Sequence, residues 1–343
     1  MEKLTDKSAF FVITMAKKMD KAREFLVNEY IKSLSEGKIP WIKGWNGAFY
    51  RPQNGSSGKP YRGMNSLILS YVGDKKGYAD PRWYTYKQAQ DKGYQVRKGE
   101  KSAPISFPTL YLDGKYLSFD QYEVLNLEDK NRVIWGRRAY SVFNAEQIDG
   151  VPELEKKNVA DIRGSELVED IRKGLGIGLE FRGDSAYYQP VKDKVIMPPK
   201  ECFFSEEEYN ATLLHELCHG TGHPSRLNRD LRGQFGSERY AREELRAEIG
   251  SSFLMQSLQL RVPDAHIDNH KAYIQSWIKV LNEEPQELFR AISEAESIEK
   301  YALEKGGIDI EKLAKESGVQ DKSTAKSTAE KEKTAKPKDD RER

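Results

Sequence analysis

At 343 residues, 38% apolar and 32% charged, the chain is long enough for two domains with separate cores. No run approaches the roughly 18 to 20 apolar residues that a membrane helix needs, so no membrane partner is expected. The formal charge of +2 hides an asymmetry: residues 15–146 hold 23 Lys and Arg against 14 Asp and Glu, and residues 147–343 carry −7. A basic half beside an acidic one predicts a polyanionic partner, such as nucleic acid, for the first.

Residues 1–16 read as an N-terminal extension. Ala9 to Ala16 has about the length of a short signal-peptide core. However, Lys17, Lys18, Asp20 and Lys21 follow where a small-residue cleavage site belongs, so no export signal is read. The two cysteines, Cys202 and Cys218, build no disulfide framework, and a cytoplasmic location is expected.

A mixed α+β domain is predicted over 17–150. Phe25, Leu26, Tyr30, Ile31 and Leu34 recur at helical spacing within 19–37, and Gly37 and Pro40 stop that helix. Residues 38–80 read as loop-rich, with a turn at Asn54 to Gly58. Strands are expected at Ala103–Tyr111, Lys115–Ser118 and Val133–Phe143.

Nineteen of the 36 aromatics lie between Trp41 and Phe143, interleaved with cations, the mixture that single-stranded nucleic acid requires. Cations follow the phosphates while aromatic faces stack unpaired bases. The candidate contacts are Trp41, Trp45, Lys59, Tyr61, Arg62, Trp83, Lys87, Arg97, Lys98 and Lys101. Strands also favour aromatics as core, and more than half of these rings are expected to be buried.

A linker is read at 151–165, then a short helix, then strands at Gly178–Phe181 and Ala186–Met197, the latter turning near Asp193. The remainder of a second domain, 166–315, is nearly all helical, with helices near 238–260, 265–282 and 286–304. Residues 316–343, which are rich in Lys, Glu, Ser, Thr and Ala, are expected to be a disordered charged tail.

Ser205 and Glu208 form a capping-box pattern that opens a helix reading Leu213-Leu214-His215-Glu216-Leu217-Cys218-His219. Two histidines four apart share one helix face and can present imidazole nitrogens to a single cation. Zinc would lower a bound water's pKa toward about 7, with Glu216 taking its proton as the general base. Zinc is the expected ion, and manganese or cobalt could substitute. Cys218 is expected to be a small buried hydrophobe.

A catalytic zinc needs a third protein ligand. His223 continues the spacing, but three histidines at i, i+4 and i+8 span about 12 Å of straight helix, too far for one ion. Glu243-Glu244-Leu245-Arg246-Ala247-Glu248 is the better source. It resembles the glutamate-zincin pattern, which implies that Glu244 binds the metal and that Glu248 orients a ligating histidine. Glu243 is expected to face solvent, and Ile249, Phe253 and Leu254 to pack this helix on the histidine helix. His266 and His270 are expected to be packed or surface residues, with His270 also a candidate donor in the cleft.

Taken together, Gly58 to Asn65, Trp83 to Ala89, Val96 to Lys101 and Tyr140 to Gln147 resemble the N-terminal domain of ArdC-type antirestriction proteins. Tyr209 to Leu227 with Tyr240 to Leu254 resembles that family's metallopeptidase domain. The resemblance runs in order over roughly 17–305. It implies a single-stranded-DNA-binding domain followed by a zincin-like domain, in a mobile-element protein that protects incoming DNA during conjugation. A protease acting on restriction enzymes or other DNA-bound proteins, and a binding protein with a structural or vestigial metal site, remain alternatives.

Overall fold

The computed structural model describes residues 19–41, 51–154, 163–234, 236–260 and 273–316. Trp45, His266, His270, the N-terminal extension and nearly all of the expected tail lie outside the described residues. The elements of the first half are α1 (Lys21–Ser35), β1 (Gln53–Asn54), α2 (Gly63–Lys76), β2 (Arg82–Thr85), α3 (Tyr86–Asp91) and β3 (Gln95–Val96). They continue with β4 (Ala103–Leu112), β5 (Lys115–Leu117), α4 (Phe119–Glu123), α5 (Leu127–Arg132), β6 (Ile134–Asn144) and β7 (Ile148–Asp149).

The second half comprises α6 (Gly164–Leu175), β8 (Gly178–Phe181), β9 (Tyr187–Gln189), β10 (Lys194–Met197) and α7 (Glu206–Thr221). It ends with α8 (Glu238–Leu258), α9 (Ile274–Glu283), α10 (Gln286–Lys305) and α11 (Ile310–Glu316). The expected α+β class holds. A five-stranded sheet runs β1-β2-β6-β4-β5, antiparallel except for β1 with β2, and a three-stranded sheet runs β8-β10-β9.

The expected loop over 38–80 contains α2. Its residues from Gly63 to Ser70 are all buried, so it has no polar face to produce a helical period in the sequence. Its N-terminus also lacks a side-chain cap. Instead the Asn65 amide docks it to β4, donating to the Ser106 carbonyl and accepting from the Ser106 N–H, each at 3.0 Å.

The two expected domains share a core. Ala241, Leu245, Ile249 and Phe253, four apart along α8, pack with Leu26, Tyr30 and Leu34 of α1. Ala247, Leu254 and Leu258 on the other side of α8 pack with Leu213, Leu214 and Leu217 of α7. Of the stripe expected to meet the histidine helix, only Leu254 does so; Ile249 and Phe253 face the N-terminal segment. Polar contacts reinforce this seam: Ser252 Oγ donates to the Trp41 carbonyl at 2.6 Å, and Arg51 forms a buried ion pair with Glu299 at 2.7 Å.

Candidate metal centre

α7 begins at Ser205, whose hydroxyl accepts from the Glu208 N–H at 3.2 Å. Only half of the expected reciprocal box forms, because the Glu208 carboxylate takes the Phe204 N–H, one residue earlier. Gly220 lets the far end of α7 close on the small sheet; a Cβ there would stand 2.4 Å from Ile177 Cδ1. These contacts fix where the histidines emerge.

His215, His219 and Glu244 converge, with one ligand atom from each lying within 4.8 Å of the others. The two Nε2 atoms are 3.2 Å apart. Glu244 Oε2 lies 3.6 Å from His215 Nε2, and Glu244 Oε1 lies 3.4 Å from His219 Nε2. Tetrahedral ligands at 2.0–2.1 Å from one ion stand about 3.3 Å from each other, so this spacing fits a divalent cation.

The histidines' other nitrogens meet carboxylates. His215 Nδ1 lies 3.3 Å from Glu248 Oε1, and His219 Nδ1 lies 3.3 Å from Glu243 Oε1. A proton on His219 Nδ1, shared with Glu243, leaves its Nε2 lone pair aimed at the ion position, and the nearby Glu248 charge favours the same tautomer of His215. The expectation that Glu243 faces solvent is thus corrected: it is buried, and Arg229 grips it through Nε at 3.1 Å and Nη2 at 2.8 Å. The same guanidinium donates to the Cys218 carbonyl at 2.7 Å and to Thr221 Oγ1 at 2.8 Å, tying the end of α7 to α8. The adjacency of two acids in sequence conceals this, because both reach His219, Glu244 at its Nε2 and Glu243 at its Nδ1.

Four carboxylates, those of Glu216, Glu243, Glu244 and Glu248, surround two imidazoles in a buried setting. Burial opposes protonation of His215, but Glu244 and Glu248 outweigh it and raise its pKa. His219 is raised further, where Glu244 and Glu243 overcome the same penalty. Burial pushes the Glu244 carboxyl up, but the two imidazoles beside it hold it well below the ordinary carboxylate range. The site therefore attracts positive charge, from protons or from a metal ion.

Glu216 lines the cleft, and its Oε2 accepts the Tyr188 N–H of edge strand β9 at 2.8 Å. Tyr240 and Tyr273 line the same cleft of about 450 Å3, with their hydroxyls 3.4 Å apart. Sequence reasoning did not find either tyrosine; Tyr240, four residues before Glu244, could have been found by helical spacing. His223 lies beyond α7 and bonds Ser225 Oγ at 2.8 Å, outside the cluster. Cys218 is fully buried in the core, as expected, and burial pushes its thiol pKa far up.

The DNA candidates separate by burial. Trp41, Tyr61 and Trp83 are 3%, 6% and 0% exposed, so their faces are occupied by protein rather than open to bases. Trp41 packs edge-on against Trp277 at 5.1 Å, and Trp83 against Tyr78 at 6.1 Å. Lys59, Arg62, Lys87, Lys98 and Lys101 are exposed. Arg97 is exposed but engaged with Glu100 and Asp149.

Residues 20–145 match the family model described as the N-terminal domain of anti-restriction factor ArdC, and residues 166–294 match that of a zincin-like metallopeptidase. The metal-free crystal structure of antirestriction ArdC protein from plasmid R388 aligns with a TM-score of 0.67 at 34% identity, covering 84% of this chain and 98% of that one. Its Mn(II)-bound form gives 0.65. The uncharacterized protein y4eC of Sinorhizobium fredii is 36% identical over 268 residues, 77% of this chain and 84% of that protein. DNA primase TraC of Escherichia coli is 41% identical over 301 residues, 82% of this chain, but the chain spans only 27% of the primase's length. The chain belongs to the ArdC family of antirestriction proteins, and its second half is a zincin-like metallopeptidase domain.

Proposed function

We propose that the protein binds single-stranded DNA through its basic half and hydrolyses peptide bonds at a divalent-metal site, protecting incoming DNA during conjugation. The observation that carries the hydrolytic part is the convergence of His215 Nε2, His219 Nε2 and Glu244 at tetrahedral spacing beside Glu216. Those three residues would hold the ion, with zinc favoured by two imidazoles and a carboxylate, and manganese or cobalt as substitutes. When bound, such an ion supplies a Lewis acid and an acidified water.

The chain's own groups supply the rest. Glu216 takes a proton from the attacking water and passes it to the leaving amine, held in place by the Tyr188 N–H. Tyr240, at the cleft wall beside Glu244, donates its hydroxyl proton in a hydrogen bond to the carbonyl oxygen as negative charge develops there. Burial and the neighbouring Glu244 raise the Tyr240 pKa, so it stays a donor. Glu248 and Glu243 hold the two imidazoles in the ligating tautomer.

Glu216 favours chemistry over a purely structural ion, which needs no base. The test compares wild type with Glu216→Gln and Tyr240→Phe, following cleavage of casein and of restriction-enzyme subunits, alongside metal content and plasmid transfer into a restricting host. Glu216→Gln should retain metal and lose cleavage by at least about 100-fold, with a smaller loss for Tyr240→Phe. Full protection by a metal-loaded Glu216→Gln protein would remove hydrolysis from the function and leave DNA binding alone.

A further inference from the structure

Trp41, Tyr61 and Trp83 are buried, so none of the candidate rings among the described residues is open to bases, whereas other rings of the basic half are. The register of the large sheet identifies them. Ile105 pairs with Tyr140, Phe107 with Arg138, Thr109 with Gly136, and Tyr111 with both Ile134 and Tyr116. Directly paired residues share a face, so Phe107, Tyr111, Tyr116, Tyr140 and Arg138 all project from one side of β6, β4 and β5.

One end of that face is covered. Ala103, Ile105, Val142 and Trp83 pack under Leu69 of α2 and Tyr61. Beyond Tyr61, whose ring lies 6.4 Å from Phe107, the cover stops. Phe107, Tyr111 and Tyr140 are 36–41% exposed and Tyr116 is 66% exposed, an unusual outlay of aromatic surface to leave in water. The rings form two edge-on pairs, Phe107 with Tyr140 at 5.8 Å and Tyr111 with Tyr116 at 6.3 Å. Between these pairs stand Arg138 and the small Gly136.

Arg138 lies over the Tyr140 ring at 5.4 Å, and it has no ion pair among the described residues. Its neighbour Arg137 points to the other face, where Asp20 holds it at 3.1 Å. Phe107 and Tyr111, four residues apart on one strand, are separated by about 13 Å, room for more than one splayed base between them. Open rings with an available guanidinium between them match unpaired bases carried on a phosphate backbone.

We infer that this open half of the sheet, Phe107, Tyr111, Tyr116, Arg138 and Tyr140, is the platform on which single-stranded DNA stacks. The inference rests on the proposed single-strand binding and gives it a location that differs from the one the sequence suggested.

The test measures binding of a fluorescein-labelled oligothymidylate to the full chain by anisotropy, across a salt series. Phe107→Leu and Tyr140→Leu keep apolar volume but remove the ring, and each should weaken binding by about 5- to 100-fold. Tyr140→Phe should bind like wild type. Arg138→Gln should lower the slope of log affinity against log salt by about one. Unchanged circular dichroism and melting verify the fold of each variant. If wild type binds and both leucine variants bind equally well, the platform is wrong while single-strand binding stands. If wild type itself does not bind, both fall.

Discussion

The metal cradle and the open sheet face are both built from side chains on regular elements, yet they differ in how sequence relates to place. In the candidate metal cradle, the two converging imidazole nitrogens come from one turn of α7, and α8 answers with Glu243, Glu244 and Glu248 within two turns. On the sheet, the relevant neighbours are set by pairing: Phe107 meets Arg138, 31 positions away, and Tyr111 meets Tyr116 across a hairpin. Helical spacing is a local property, so a motif survives being read in one dimension. Sheet faces depend on register and on what covers them, and neither is written locally.

The contrast is sharpest for aromatics. Trp41→Ala should cost about 3–5 kcal/mol of stability, because it empties a site between Tyr30 and Trp277 in the shared core. Chemical denaturation measures this, and a loss under about 1 kcal/mol would break the assignment of Trp41 to structure rather than to DNA. The single-strand affinity of the folded fraction should not change.

A smaller effect separates ligands from their supports. Glu243→Gln keeps the shape but weakens the partner of His219 Nδ1 and of Arg229, and metal affinity should drop about 10- to 100-fold. Competition with a chromogenic chelator reads this directly. Affinity equal to wild type would return Glu243 to the surface role that its sequence neighbourhood suggested.

The smallest effect is in proton linkage. The raised pKa values of His215 and His219 mean that, without metal, their protonated forms stabilise the fold fully below the ordinary imidazole value of 6.5. That contribution is lost as pH rises through the raised folded values. A divalent cation needs both Nε2 atoms deprotonated, so binding near neutral pH should release about one proton or more and tighten as pH rises. Calorimetry in buffers of differing ionisation enthalpy gives the proton count, and an enthalpy independent of buffer would contradict it.

Sequence alone determined the α+β class, the first helix, the long strands of the large sheet and the segment order 178–221. In each, a period of 2 or 3.6 or a capping residue was visible along the chain. It also placed His215 and His219 on one helix face, because one helical turn suffices to align them, and the two converge in the fold. Tertiary structure decided the rest. α2 was hidden because burial on every side erases its period. The two faces of α8 serve two cores, so its stripe named the wrong neighbour for Ile249 and Phe253. Glu243 was turned inward by Arg229, which comes from a loop that no helical spacing predicts. Which aromatics of the sheet stay exposed was settled by where α2 and Tyr61 stop covering it, a matter of packing between segments far apart in the chain.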